Sequence, residues 1–189
     1  MREERRWSIA AIAWTVGFAI VSVAIATAAA WPLYQSPRAI LVGAVGGLVG
    51  TLTYGWITQR VSLANLMRIG LIVETLTHLA LALTRTAWVA MVIFVVFGAH
   101  VFIWGTTSMT VRQRAVPSAL QGRVGSLHTI CLYGGLVAGS AIGGLLATHY
   151  GVAAPFWFAF AGSAVFVVVL WRGLTAIAHA DDAAQPAPH

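Results

Sequence analysis

AWVAMVIFVVFGAHVFIWGTTSM, residues 87–109, runs for 23 positions without an aspartate, glutamate, lysine or arginine. A helix needs about 20 residues to cross a hydrocarbon core about 30 Å thick. The stretch lacks the strict alternation of polar and apolar residues that a membrane barrel strand requires. In hydrocarbon only a helix or a closed barrel satisfies its own backbone, so the stretch reads as a membrane-spanning helix. Five further runs have the same character, at residues 7–30, 39–58, 66–84, 124–148 and 154–175. The expected fold is an all-α membrane protein with six transmembrane helices.

The rest of the composition agrees. Of 189 residues 59% are hydrophobic and 8% charged, and the mean hydropathy is +0.85. Soluble domains carry roughly 25% charged residues, so a water-facing surface could not be covered and the lipid bilayer becomes the expected solvent. All eleven basic residues are arginines at the ends of apolar runs, which argues against a nucleic-acid partner. Cys131 lies alone in an apolar run and reads as a small buried hydrophobe. The first run, 24 residues long, exceeds the roughly 7–15 of a signal peptide core. It reads as a retained span, although Ala26-Thr27-Ala28 would pass as a cleavage site and Arg5-Arg6 is a weak twin-arginine look-alike.

Short connections join the runs. Trp31-Pro32 closes the first and Ser36-Pro37 precedes the second. Arg85-Thr86 makes a tight turn, Pro117 breaks the chain between the fourth and fifth, and Gly151 with Pro155 brackets the last turn. Residues 176–189, with Asp181-Asp182 and Gln185-Pro186-Ala187-Pro188, have little to bury and read as a disordered tail. Arg2, Arg5, Arg6, Arg60, Arg68, Arg112, Arg114, Arg123 and Arg172 fall on one side of the membrane, and only Arg38 and Arg85 on the other. The positive-inside rule puts the first side, both termini and the tail in the cytoplasm.

Glycines divide the six runs into two sets of three. The second carries Gly43, Gly46, Gly47 and Gly50, and the fifth Gly135, Gly139, Gly143 and Gly144. Glycines at this spacing let helix backbones approach where packing drives association. Gly43, Gly47, Gly50, Gly135, Gly139 and Gly143 are therefore the expected helix-packing positions, at the middle of two three-helix repeats.

The loop Val111-Arg112-Gln113-Arg114-Ala115-Val116-Pro117, followed by Leu120-Gln121-Gly122-Arg123-Val124, resembles the loop between helices ten and eleven of major facilitator superfamily transporters. It looks most like the branch of bacterial drug and siderophore exporters. The glycine-rich run to Gly144-Leu145-Leu146, then Gly151 and Pro155-Phe156, is similar to that family's helix eleven and the start of twelve. Gly55-Trp56-Ile57-Thr58-Gln59-Arg60 resembles the weak second copy of its cytoplasmic motif, without the acidic residue. The resemblance covers roughly residues 39–175. It implies the C-terminal six-helix half of a secondary transporter in the bacterial inner membrane, exporting a small-molecule substrate by proton antiport. Inverted three-helix repeats are a property of this superfamily as a whole. The resemblance also implies a complementary six-helix half, from a second copy or another chain. The alternative is a non-transporting fragment or a small membrane partner protein. In the loop motif Arg112, Arg114, Pro117, Gly122 and Arg123 are the named positions. Arg123 opposes the helix dipole and is expected to find a carboxylate or carbonyl partner.

Glu74 is the only acidic residue between Glu4 and Asp181 and lies near the centre of its span, where a charge costs on the order of 3 kcal/mol. His78 falls one turn later on the same face. The pair reads either as a proton-coupling site or as a structural polar contact. By resemblance this span is the peripheral helix nine, which favours the structural reading. His100, Trp104, Thr107 and Ser108 form a polar stripe on the fourth span, by resemblance the cavity-lining helix ten. That stripe is a candidate substrate path, the plain alternative being interhelical packing. Tyr133, with Thr129 and Ser126, makes a weaker face on the fifth span. No nucleophile–base pair, phosphate loop, metal-ligand spacing or cofactor motif is legible, so no enzyme activity, metal or cofactor is expected.

Overall fold

The structure, a computed structural model, describes residues 37–184. The first expected span, residues 7–30, and the last five residues lie outside the described residues. Five α-helices follow one another. They are α1 (Pro37–Thr58), α2 (Leu63–Leu83), α3 (Ala87–Ala115), α4 (Gln121–Tyr150) and α5 (Ala154–Ala184), with a 3₁₀ turn at Ser118–Leu120 before α4. There is no strand among the described residues. The first four helices are long and apolar enough to cross a membrane, and α5 contains a shorter apolar stretch, Ala154–Val169.

Local chemistry sets the helix ends. Ser62 caps α2 by accepting the Asn65 N–H at 3.3 Å. Proline disfavours the helical conformation in the residue before it. Val116 accordingly turns to φ −107°, ψ 125° ahead of Pro117, and α3 ends. Gly151, at φ 87°, is the one described residue with a positive φ and stops α4. Most helices outrun the apolar spans. α3 continues to Ala115 rather than residue 109, and α4 spans 121–150 rather than 124–148. α5 reaches Ala184 rather than residue 175, so most of the segment expected as a disordered tail continues the helix.

Neighbouring helices form the series α1, α3, α2, α5, α4, each packed on the next. The closest approach is between α1 and α3. A methyl group at Gly46 would strike the Val95 carbonyl, one at Gly50 would lie 2.8 Å from the Ala99 carbonyl oxygen, and one at Gly98 would lie 2.5 Å from that of Gly43. The contact therefore uses Gly46 and Gly50 of α1. Gly43 enters the contact through its carbonyl, which faces Gly98, whereas a methyl at Gly47 would meet no atom within 4 Å. Gly135, Gly139 and Gly143 are buried on one face of α4.

Helix α2 buries a continuous stripe, including Leu63, Met67, Gly70, Leu71, Glu74, His78 and Leu81, because it is held between α3 and α5. Around it Leu81, Phe156 and Ala159 form one apolar cluster, and Met67, Leu71 and Trp104 another. The outward faces are apolar too, as at Leu52, Val137 and Val168, all at least 70% exposed. Such surfaces suit lipid tails and not water.

Candidate functional site

The buried stripe of α2 is interrupted by polar groups midway along its length. Glu74 is 1% exposed and His78 is fully buried. From α3, His100 places Nε2 2.8 Å from Glu74 Oε2, within hydrogen-bond distance. On α2 itself, His78 Nε2 lies 3.4 Å from Glu74 Oε1, within ion-pair range but outside hydrogen-bond geometry. From α5, Ser163 Oγ lies 3.3 Å from His78 Nδ1. Three helices thus meet at one carboxylate, two imidazoles and one hydroxyl.

Aromatic rings cover the α3 side of this cluster. Trp104 stands one turn beyond His100, with ring centroids 5.9 Å apart, and Phe97 lies 6.1 Å from His100 on the other side. The Trp104 ring rests on Gly70, where a methyl would lie 2.6 Å from Trp104 Cζ3. Glycine there is what lets α2 and α3 come close enough for Glu74 and His100 to pair. Thr107 is fully buried further along α3. Its hydroxyl donates to the Ile103 carbonyl at 2.7 Å, and a 3.4 Å contact links it to the Tyr54 hydroxyl of α1.

The residues singled out from sequence therefore separate. Glu74, His78 and His100 come together, with Trp104 against them. Thr107 belongs to the α1–α3 seam, and Ser108 is half-buried outside these bonds. Tyr133, on α4, is 61% exposed and shares in none of them. Ser163, Gly70 and Tyr54 escaped the sequence reading. A serine or glycine inside an apolar run carries no mark of its partner, and only the helix crossings reveal these three. Among the described residues no group of three or more histidine, cysteine or acidic side chains is placed to hold a metal ion.

The loop between α3 and α4 is held by Gln121, whose Nε2 donates to the carbonyls of Gln113 at 3.1 Å and Val116 at 3.3 Å. Arg112 is half-buried, while Arg114, Pro117, Gly122 and Arg123 are exposed.

A bundle of apolar helices, several long enough to span a bilayer, with a polar cluster enclosed midway along one of them, defines a multi-pass membrane protein. Residues 11–188 match the family described as transmembrane secretion effector, and the chain belongs to that family of major-facilitator-type transporters. No curated protein and no solved structure gives a significant match.

Proposed function

We propose that the protein exports a small molecule across the cell membrane in exchange for protons, this chain supplying the C-terminal six-helix half of a major-facilitator-type transporter. A complementary half, from a second copy or another chain, closes the substrate path, and rocking of the two halves gives alternating access. Both termini face the cytoplasm, as nine arginines against two favour. The observation that carries the reading is the Glu74–His100 pair, a carboxylate 1% exposed and bonded across two helices in the middle of a span. Ionisable groups at such depth mark proton or substrate pathways more often than simple packing. Family membership gives the pair a transport reaction to serve.

Everted membrane vesicles from cells that make the native protein, compared with vesicles from cells lacking it, test the reading. Energised wild-type vesicles are expected to take up a lipophilic cation such as ethidium, or another compound from a panel of drugs and siderophores. Collapse of the pH gradient should abolish the difference. Equal uptake by both vesicle types for every compound would remove the transport reading.

A further inference from the structure

Two guanidinium groups at one end of the bundle lie on indole rings. Arg60 Cζ stands 4.1 Å over the Trp56 ring, and Arg68 Cζ stands 5.3 Å over that of Trp171. The helix contacts put both pairs at the same end. Gly46 and Gly50 meet Val95 and Ala99, and Tyr54 meets Thr107, so α1 runs parallel to α3. Gly70 meets Trp104 and Glu74 meets His100, so α2 runs antiparallel to α3. His78 with Ser163 and Arg68 with Trp171 set α5 antiparallel to α2. The end of α1, the start of α2 and the Trp171 region of α5 therefore share one surface of the bundle. The last turn of α3 brings Arg112 and Arg114 to the same end.

No acidic side chain answers the charges on Arg60 and Arg68. Between Glu4 and Asp181 the sequence holds only Glu74, which is enclosed in the span. Neither arginine has a carboxylate within ion-pair range among the described residues. Each spends one nitrogen on the protein. Arg60 Nη1 donates to the Trp56 carbonyl at 3.2 Å, and Arg68 Nη1 to Asn65 Oδ1 at 3.4 Å. The opposite edge of a guanidinium, Nε with Nη2, can grip a phosphate through two parallel bonds. In Arg68 that Nε is buried without an acceptor, which costs stability until one is found. Asn65 lies one turn toward the start of α2, so the Arg68 head reaches outward along the helix while its stem stays among apolar groups. Trp171 falls just after the apolar stretch Ala154–Val169, and both indoles are exposed. Tryptophans so placed sit at headgroup depth. Stacking on them holds a guanidinium in place, so less freedom is lost when it binds.

We propose that the Arg60–Trp56 and Arg68–Trp171 pairs each dock the phosphate of one anionic phospholipid headgroup. At Arg68 a small turn of the half-buried side chain presents Nε and Nη2 to the phosphate oxygens, and the Nε donor gains the acceptor that the protein does not supply. At Arg60 the same edge is already exposed. The charge selects the lipid. A zwitterionic headgroup carries its own cation beside the phosphate and gains less from a guanidinium that no carboxylate balances. Trp171 and Trp56 are positioning residues that hold the guanidinium at the depth of the phosphate. The inference is independent of the transport reaction proposed above.

Native mass spectrometry of the full protein, released from vesicles of equal parts phosphatidylglycerol and phosphatidylcholine with the same chains, counts the lipids it retains. Each pair should favour phosphatidylglycerol about fivefold, the effect of one basic group at a membrane surface. Wild type should hold two more phosphatidylglycerols than the double variant Arg60→Gln/Arg68→Gln, and each single variant should lose one. Arg85→Gln, at the opposite end of the bundle, should lose none. Trp171→Leu should weaken retention at Arg68, and Trp171→Phe should restore part of it, a pattern that loss of charge alone would not give. Arg60→Gln alters an exposed side chain and tests its pair even where Arg68→Gln fails to fold. Arg68→Lys, which keeps the charge without the fork, tests the other and should hold its lipid more weakly. Equal retention of the two lipids by wild type would overturn the proposal. So would undiminished phosphatidylglycerol in the double variant. Displacement of the retained lipid by millimolar inorganic phosphate would mark a site for soluble anions and overturn the assignment to lipid.

Discussion

Replacing Glu74 with alanine would leave two buried imidazoles facing each other without the carboxylate that joins them. Removing one partner of a buried pair costs about 3–5 kcal/mol in soluble interiors, and polar contacts between membrane helices average nearer 1 kcal/mol. Glu74→Ala should therefore lower stability by about 1–3 kcal/mol. Glu74→Gln, which keeps an acceptor for His100, should cost less, as unfolding in nanodiscs would measure. Gly70→Ala sets a methyl against a Trp104 ring that is 4% exposed and has no room to swing. Overpacking of that kind costs about 1–3 kcal/mol. An unchanged unfolding midpoint would mean that the α2–α3 approach is looser than described. Glu74 was legible as a lone carboxylate in an apolar run, and His78 by its spacing of one turn. The bond to His100 was not, because a polar stripe on one helix does not say which neighbour it meets. Ser163 and Gly70 gave no signal at all, since their roles exist only where two helices cross.

Helix ends and contact faces obey different physics. Hydropathy marks where lipid stops, whereas the backbone hydrogen-bond ladder stops at a cap or a proline. That is why α3 outruns its apolar run to reach Val116 and Pro117. The glycine spacing on α1 allowed two registers. The structure uses Gly46 and Gly50 against Val95 and Ala99, with the Gly43 carbonyl against Gly98, and leaves Gly47 open among the described residues. Gly46→Ala and Gly98→Ala push a methyl into backbone atoms that cannot rotate away, and each should cost about 1–3 kcal/mol. Gly47→Ala should stay within about 0.5 kcal/mol. Equal losses at Gly46 and Gly47 in a thermal series would reject this register. Proline and glycine at the ends of α3 and α4 were legible because their constraints are local. The register of the glycine seam depends on which face the neighbouring helix presents.

For the whole molecule, membrane character and family were readable from apolar runs and the Arg112–Arg123 loop, signals that need no tertiary information. The grouping of helices was less so, because glycine spacing repeats on helices that pack differently. The proposed orientation predicts that a cysteine replacing Gln59 is labelled by an impermeant thiol reagent only from the cytoplasmic side, and one replacing Thr86 only from the opposite side. Labelling of both from one side would reject that topology. The central claim, that a proton held at Glu74 drives export, is tested most directly by separating exchange from accumulation. Native protein and its Glu74→Gln variant would be reconstituted in liposomes with the substrate found in the vesicle assay. The account predicts that Glu74→Gln keeps substrate-for-substrate exchange without a pH gradient but loses accumulation against a gradient. Accumulation driven by the pH gradient at the wild-type rate in Glu74→Gln would contradict it.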